Sequence, residues 1–343
     1  MGINCDLVLL SWNNLKVLKR CIDSILHFTR APYRLIIVDN GSTEEGMKDY
    51  LSTLTGNDKI DIEVLINDTN EGFAKGMNKG MKVSNSPYVC LLNNDILVTD
   101  GWLEEMIKVA EADSEAGIVN PSSNNFGLRF GKDTTLEEFA RTFRSQTGKW
   151  IEMESGIGFC MLIKKEVVNK IGYLDENYGL AFFEDRDYSR RAKLAGYKCV
   201  MAKGCYVYHL EGQSVKLLKD KDDLFRKNAE IFYRKWGKPQ RIGYIITQRN
   251  EDKFEQLRKH IKDQVQAGNR IWIFQKDNSG ELKPYEHLDV MSNRLPAGFF
   301  KLSAFWNIVK KKKKFDRLYV DDAGLRNLFE FFRWLHKARV MEE

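Results

Sequence analysis

The chain has 343 residues, 43% of them hydrophobic and 30% charged, with a formal net charge of +6. That length exceeds one typical domain and suits two, and the composition supplies a true core while excluding a disordered chain. No run approaches about 18 uncharged apolar residues, so no membrane-spanning helix is expected.

The opening MGINCDLVLL has neither the basic start nor the small-residue cleavage site of an export leader. It reads as the first strand of a cytoplasmic protein. CDLVLL (5–10) leads through Ser11-Trp-Asn-Asn into a helical pattern from Leu15 to Phe28, with apolar positions Leu15, Leu18, Cys21, Ile22 and Ile25. Strand YRLIIVD (33–39), a helix near 44–54, strand IEVLIND (62–68), a helix near 72–82 and strand YVCLLNND (88–95) repeat the unit. Such alternation predicts an α/β fold with a mainly parallel sheet flanked by helices. Ligands bind such sheets beyond the carboxyl ends of the strands, where Ser11, Asp39 and Asp95 fall.

A helix over Trp102–Ala112 and a strand GIVNP (117–121) precede a polar, loop-like stretch to about 147. WIEMESGIGFCMLIKKEVV supplies strand material, and the turn-rich IGYLDENYG leads to GLAFFEDRDYSRR (179–191). A helix over about 184–195 stops at Gly196, a residue suited to a left-handed C-terminal turn. YKCVMAKGCYVYHL gives one or two strands, residues 215–236 a long charged helix, and Gly237-Lys-Pro-Gln240 a break. The expected domains are therefore 1–238 and a smaller α/β domain, 239–343. In the latter, strands RIGYIIT, RIWIFQK, LDVMSNR and FDRLYVD alternate with helices at 251–267, 298–312 and 324–339. TQRNED after its first strand is no glycine-rich phosphate loop, and its role is left unassigned.

The six cysteines are scattered through apolar segments without a C-x-x-C pair, as reduced core residues rather than a disulfide or zinc framework. Basic residues concentrate at the end: residues 241–343 carry 21 Lys and Arg against 14 Asp and Glu, while residues 1–240 carry 33 against 34. The run Lys310–Lys314 suits a helix terminus, where cations meet the macrodipole, or a surface that settles on anionic lipid. No nucleic-acid motif accompanies it, so nucleic acid is not an expected partner.

Taken together, the strand end IIVDNGST (36–43), NEGFAKGMNKG (70–80), Asn93-Asn94-Asp95, FFEDRDY (182–188) and YHLEGQS (208–214) resemble, in that order, the family 2 glycosyltransferases of the GT-A fold over roughly residues 5–215. The resemblance implies an inverting, metal-dependent enzyme that moves a sugar from a nucleotide-diphosphate sugar to a hydroxyl of a glycan or lipid-linked acceptor. It implies Asp185 as general base with Glu184 in reserve. Ser11, Asn13, Asp39, Asn70, Gly72, Phe73, Asn78 and Asn94 are implied as nucleotide-binding, and Asp95 with His209 as ligands of Mn²⁺ or Mg²⁺.

The chemistry that such a transfer demands agrees with these roles. A departing diphosphate needs its charge neutralised, and a divalent ion does this as a Lewis acid; one carboxylate with an amide suffices where phosphate and water complete the shell. Two adjacent acids approached by two aromatics have reason for raised proton affinity, which suits a base. Asp187 and Arg191, four apart, suit a surface ion pair, while the resemblance implies that Asp175 and Glu176 line the acceptor site. Asn93 and Asn94 in place of acids leave open a catalytically weak or silent nucleotide-sugar or carbohydrate-binding module. The expected location is the cytoplasm, with peripheral contact to the inner face of the membrane through the basic domain.

Overall fold

A computed structural model describes residues 4–55, 60–210, 220–248, 251–277 and 286–342, excluding the side chains of 251–253. Residues 211–214 of YHLEGQS, 215–219 of the expected charged helix and Arg249 and Asn250 of TQRNED lie outside the described residues. The chain divides into two units, Met1–Trp236 and Gly237–Glu343.

The N-terminal unit contains β1 (Cys5–Ser11), α1 (Leu15–Phe28), β2 (Tyr33–Asp39), α2 (Met47–Leu54), β3 (Asp61–Ile66), α3 (Phe73–Val83), β4 (Tyr88–Asn93), β5 (Ile96–Leu97) and α4 (Trp102–Ala112). It continues with β6 (Ala116–Ser122), α5 (Leu136–Thr142), β7 (Trp150–Met153), β8 (Cys160–Lys164), α6 (Lys165–Ile171), α7 (Glu184–Leu194), β9 (Lys198–Tyr206), β10 (Tyr208–His209) and α8 (Lys221–Trp236). Eight strands form one sheet in the order β3-β2-β1-β4-β8-β6-β9-β7. The first four are mutually parallel, whereas β8 runs antiparallel to both β4 and β6, and β7 antiparallel to β9. The fold is thus GT-A-like: a mixed sheet flanked by helices.

Each face of this sheet packs its own helices, because strands covered on both sides must be apolar throughout. Leu7, Leu9, Leu35, Ile37 and Leu92 meet α1 and α4 residues such as Ile22 and Trp102 on one face. Val8, Ile36, Val38 and Leu91 meet Met77 and Met81 of α3 and Tyr188 of α7 on the other. A separate pair, β5 and β10, is antiparallel, with His209 opposite Ile96. All six cysteines are buried and form no disulfide.

Two helices depart from the expected reading. The polar stretch before residue 147 contains α5, started by a capping box in which Thr135 and Glu138 exchange hydrogen bonds; this short helix buries none of its side chains, so no apolar period marked it. The run after Cys160 is likewise not strand throughout, since α6 begins at Lys165.

The C-terminal unit comprises β11 (Arg241–Ile246), α9 (Glu251–Gln266), β12 (Arg270–Lys276), β13 (Val290–Leu295), α10 (Phe300–Val309), β14 (Arg317–Val320), α11 (Ala323–Phe331), α12 (Arg333–His336) and β15 (Arg339–Glu342). Its sheet, β13-β12-β11-β14-β15, is parallel at every pairing. The expected last helix, 324–339, is broken. Buried His336 bonds the Phe329 carbonyl through Nε2 and accepts from Ala338 N–H through Nδ1, and Lys337 turns left-handed with φ of 62°. That turn releases residues 339–342 to extend the sheet as β15. Among the described residues, no helix is long and apolar enough to cross a membrane.

Candidate active site

Strand β4 ends at Asn93, and the turn Asn94-Asp95 that follows is almost wholly buried. The β5–β10 pairing brings His209 to this turn, and Leu210 N–H donates to the Asp95 carbonyl at 2.8 Å. His209 Nε2 lies 3.0 Å from Asp95 Oδ1 and 3.5 Å from the Asn93 side-chain amide, while Nδ1 lies 3.1 Å from Asn125 Oδ1. The order of the motifs alone did not indicate Asn125. With Nδ1–H donating to Asn125, the Nε2 lone pair faces the carboxylate, two acceptors that a shared cation would reconcile. Their separation equals what two adjacent ligands with bonds of about 2.1 Å would show around an octahedral ion. The residues therefore fit a divalent metal held by Asp95 and His209, with no third His, Cys, Asp or Glu clustered there among the described residues.

The acids stand at the start of α7. Phe182 and Phe183 before them are both left-handed, each with φ of 76°, a conformation bulky residues rarely adopt. It is held from outside the loop. Asn228 of α8 donates to the carbonyls of Tyr178, Ala181 and Phe182, and Phe183 is packed against Phe225 and Phe232. Glu184 is buried, with Oε2 lacking a partner among the described residues. Burial raises its pKa, and the charge of Asp185 raises it further. Burial raises Asp185 as well, against the opposing Gly158 N–H and Arg186. Both groups thus hold their protons more tightly than ordinary carboxylates.

The two clusters meet through the segment before β8. Gly158 N–H donates to Asp185 Oδ2 at 3.1 Å. The next residue, Phe159, stacks on the His209 ring with centroids 5.2 Å apart and accepts Asn93 N–H through its carbonyl at 2.9 Å. A methyl on Gly158 would stand 3.1 Å from the Phe73 ring and 3.7 Å from Asp185 Cβ, so only glycine fits without displacement. Neighbouring residues thus contact Asp185 and the Asp95–His209 cluster. No motif flagged Gly158 and Phe159, although small residues in a strand approach do signal close contact.

The proposed nucleotide wall is built differently from the expectation. Asn13 Oδ1 accepts from Thr43 and Glu44 N–H, and Ser42 Oγ accepts from Asn13 N–H while donating to Asp39 Oδ1. Asp39 is fully buried and also accepts from Ser42 N–H, so this acid and Asn13 lock the two strand-end loops together. Asn70 Oδ1 accepts from Asn40 and Gly72 N–H. Asn78, expected at the nucleotide, instead bonds Leu174 N–H and carbonyl and Glu176 Oε1: its whole amide positions the 174–176 segment. Phe73, also implied as nucleotide-binding, donates its backbone N–H to the Leu180 carbonyl. Gly72 has φ of 90°, and a Cβ there would strike the Gly179 carbonyl. Ser11 Oγ, buried, has no partner among the described residues.

Two further expectations change. The Asp187–Arg191 pair forms at 2.9 Å but is no surface pair: Asp187 is fully buried and also receives Trp236 Nε1, Lys235 Nζ and Tyr178 Oη. Asp175 caps the 176–178 turn and pairs with Lys235, while exposed Glu176 accepts from Asn78 through Oε1, so both carboxylates already have partners within the chain.

The sequence profile described as Glycosyl transferase family 2 matches residues 6–172. A protein of Sinorhizobium fredii, described as uncharacterized protein y4gI, is 24% identical over 241 residues, which cover 65% of this chain and 26% of that one. Glycosyltransferase GlyG of Streptococcus pneumoniae is 25% identical over 235 residues, 65% of this chain and 76% of its own length. A crystal structure of GalNAc-T7 with UDP, GalNAc and Mn²⁺ superposes with a TM-score of 0.53 at 16% identity, covering 68% of this chain and 48% of that one. The chain thus spans about a quarter of the first relative and about half of the structural neighbour. Fold, motif order and profile agree on the N-terminal unit: residues 6–172 match glycosyl transferase family 2.

Proposed function

We propose that the chain transfers a sugar from a nucleotide-diphosphate sugar to a hydroxyl of a glycan or lipid-linked acceptor, with inversion. The observation that carries this reading is the Gly158–Phe159 step, which contacts Asp185 on one side and the Asn93, Asp95 and His209 cluster on the other. A proton acceptor and a cation site that share one wall suit a single in-line displacement.

In this reading Asp185 takes the proton of the acceptor hydroxyl as its oxygen attacks the anomeric carbon. The Gly158 N–H keeps the carboxylate aimed, and desolvation raises its affinity for the proton. Asp95 and His209 would hold Mn²⁺ or Mg²⁺, which when bound neutralises the departing diphosphate. The GalNAc-T7 structure, with UDP and Mn²⁺, supports both the donor class and the metal. Ser11 and Asn94, with the loops locked by Asn13, Asp39 and Asn70, would frame the nucleotide, and Gly72 and Phe73 the approach to the acid.

The test separates binding from turnover. Asp185→Asn is expected to abolish transfer while nucleotide-sugar affinity survives; undiminished turnover would remove the base. Asp95→Ala is expected to lose Mn²⁺-dependent stabilisation by a panel of nucleotide sugars, which in the wild type should raise stability by about 2.7 kcal/mol at a hundred times Kd. Unchanged affinity would favour a binding module or metal-free chemistry.

A further inference from the structure

The C-terminal unit carries an exposed aromatic ridge that its fold does not use. On α10 the buried positions are Phe300, Ala304 and Ile308. Directly opposite, at helical spacing, Phe299, Leu302 and Trp306 are 72%, 66% and 62% exposed, and the same stripe continues into Lys310. A second exposed pair, Phe331 at 76% and Trp334 at 70%, lies at the α11–α12 junction. Ring contacts join the two sets: Phe305 of α10 meets Phe332 at 5.3 Å, and Phe332 meets Phe331 at 4.9 Å. Soluble surfaces seldom gather large apolar side chains this way without a partner.

The charge around the ridge selects the partner. Residues 297–339 hold eleven Lys and Arg against four Asp and Glu. Lys310, Lys312 and Lys313 are exposed at the end of the α10 stripe, while Lys314 turns inward to donate to the Val309 carbonyl. Glu330 is the exposed acid on α11. Aromatic and leucine side chains bordered by lysines match the boundary of an anionic bilayer, with apolar groups at headgroup depth and ammonium groups against lipid phosphate. A second copy of the chain would bring two basic borders together.

We propose that this ridge docks the C-terminal unit on an anionic lipid surface. The inference stands apart from catalysis, because its readout is vesicle binding rather than transfer, so either can fail alone.

The experiment is co-flotation of the full chain with vesicles of phosphatidylcholine, with or without about 30% phosphatidylglycerol. Binding is expected only with the anionic lipid, with a blue shift of tryptophan emission and release by high salt. Trp306→Ser with Trp334→Ser, and separately Lys310→Gln with Lys312→Gln and Lys313→Gln, should each weaken binding about tenfold or more. These side chains are exposed, and unchanged circular dichroism would verify folding. Absence of binding to anionic vesicles, equal binding to neutral ones, or variants that bind like wild type would overturn the proposal. So would tighter binding to a single-stranded oligonucleotide, or a dimer that the tryptophan variant dissolves.

Discussion

The two units use their carboxylates in opposite ways. In the C-terminal unit Asp321, after β14, accepts Thr247 N–H at 2.6 Å, Thr247 Oγ1 at 2.9 Å and Gln248 N–H at 3.1 Å. It closes a loop. In the N-terminal unit Glu184 is buried and Asp185 half-buried beside it; both have raised proton affinity, although Gly158 and Arg186 N–H donate to the Asp185 oxygens, and Glu184 Oε2 finds no partner among the described residues. Topology supplies a crevice in both sheets, but a carboxylate already saturated with donors makes architecture, and one held against its ionisation preference marks chemistry.

The sharpest way to break this contrast is to treat both acids alike. Asp185→Asn should cost turnover on the order of a thousandfold, within the range of a positioned base, whereas Asp321→Asn should leave turnover intact and cost the C-terminal unit about 1–3 kcal/mol in denaturant unfolding. Equal kinetic losses would erase the difference. Next in size, Asn228→Ala leaves three carbonyls without their donor. It should lower stability by about 2–3 kcal/mol and lower turnover with it, as the left-handed approach to the acids relaxes.

The pH dependence follows with signs that oppose each other. A base works ionised, so turnover should rise with pH through a value above the usual carboxylate range of about 4. The folded state binds the acid pair's protons more tightly than the unfolded chain does. Stability from this pair is therefore full below the unfolded pKa and lost as pH climbs through the raised folded value. Glu184→Gln removes a buried charge without changing shape, and above that value it should raise stability by about 1 kcal/mol, read as a shift in Tm. A destabilised variant at alkaline pH would contradict the burial argument.

Hydrophobic periodicity made the alternating sheet legible, because strands covered on both faces must be apolar and helices between them one-sided. It was blind to α5, which buries no side chain, and to the left-handed turn at Lys337 that frees β15. The acids and the Asp95–His209 pair were readable as motif positions. Their physical connection was not: Gly158 and Phe159 carry no chemical label, and Asn228 lies in a charged helix whose polarity hides its buried amide. Asn78 misled for the same reason, since an amide that grips a neighbouring loop looks, in sequence, like one that grips a ligand.

The clasp that α8 places over residues 178–187 bears on how the protein can be dissected. The family match ends at 172, but Asn228 and the Trp236 indole secure the loop and the buried Asp187 from beyond it. A fragment cut at the edge of the recognised family region would lose α7 along with its acids. One cut after β10 would retain the acids without the helix that bends the chain towards them, and should be inert even if it stays folded.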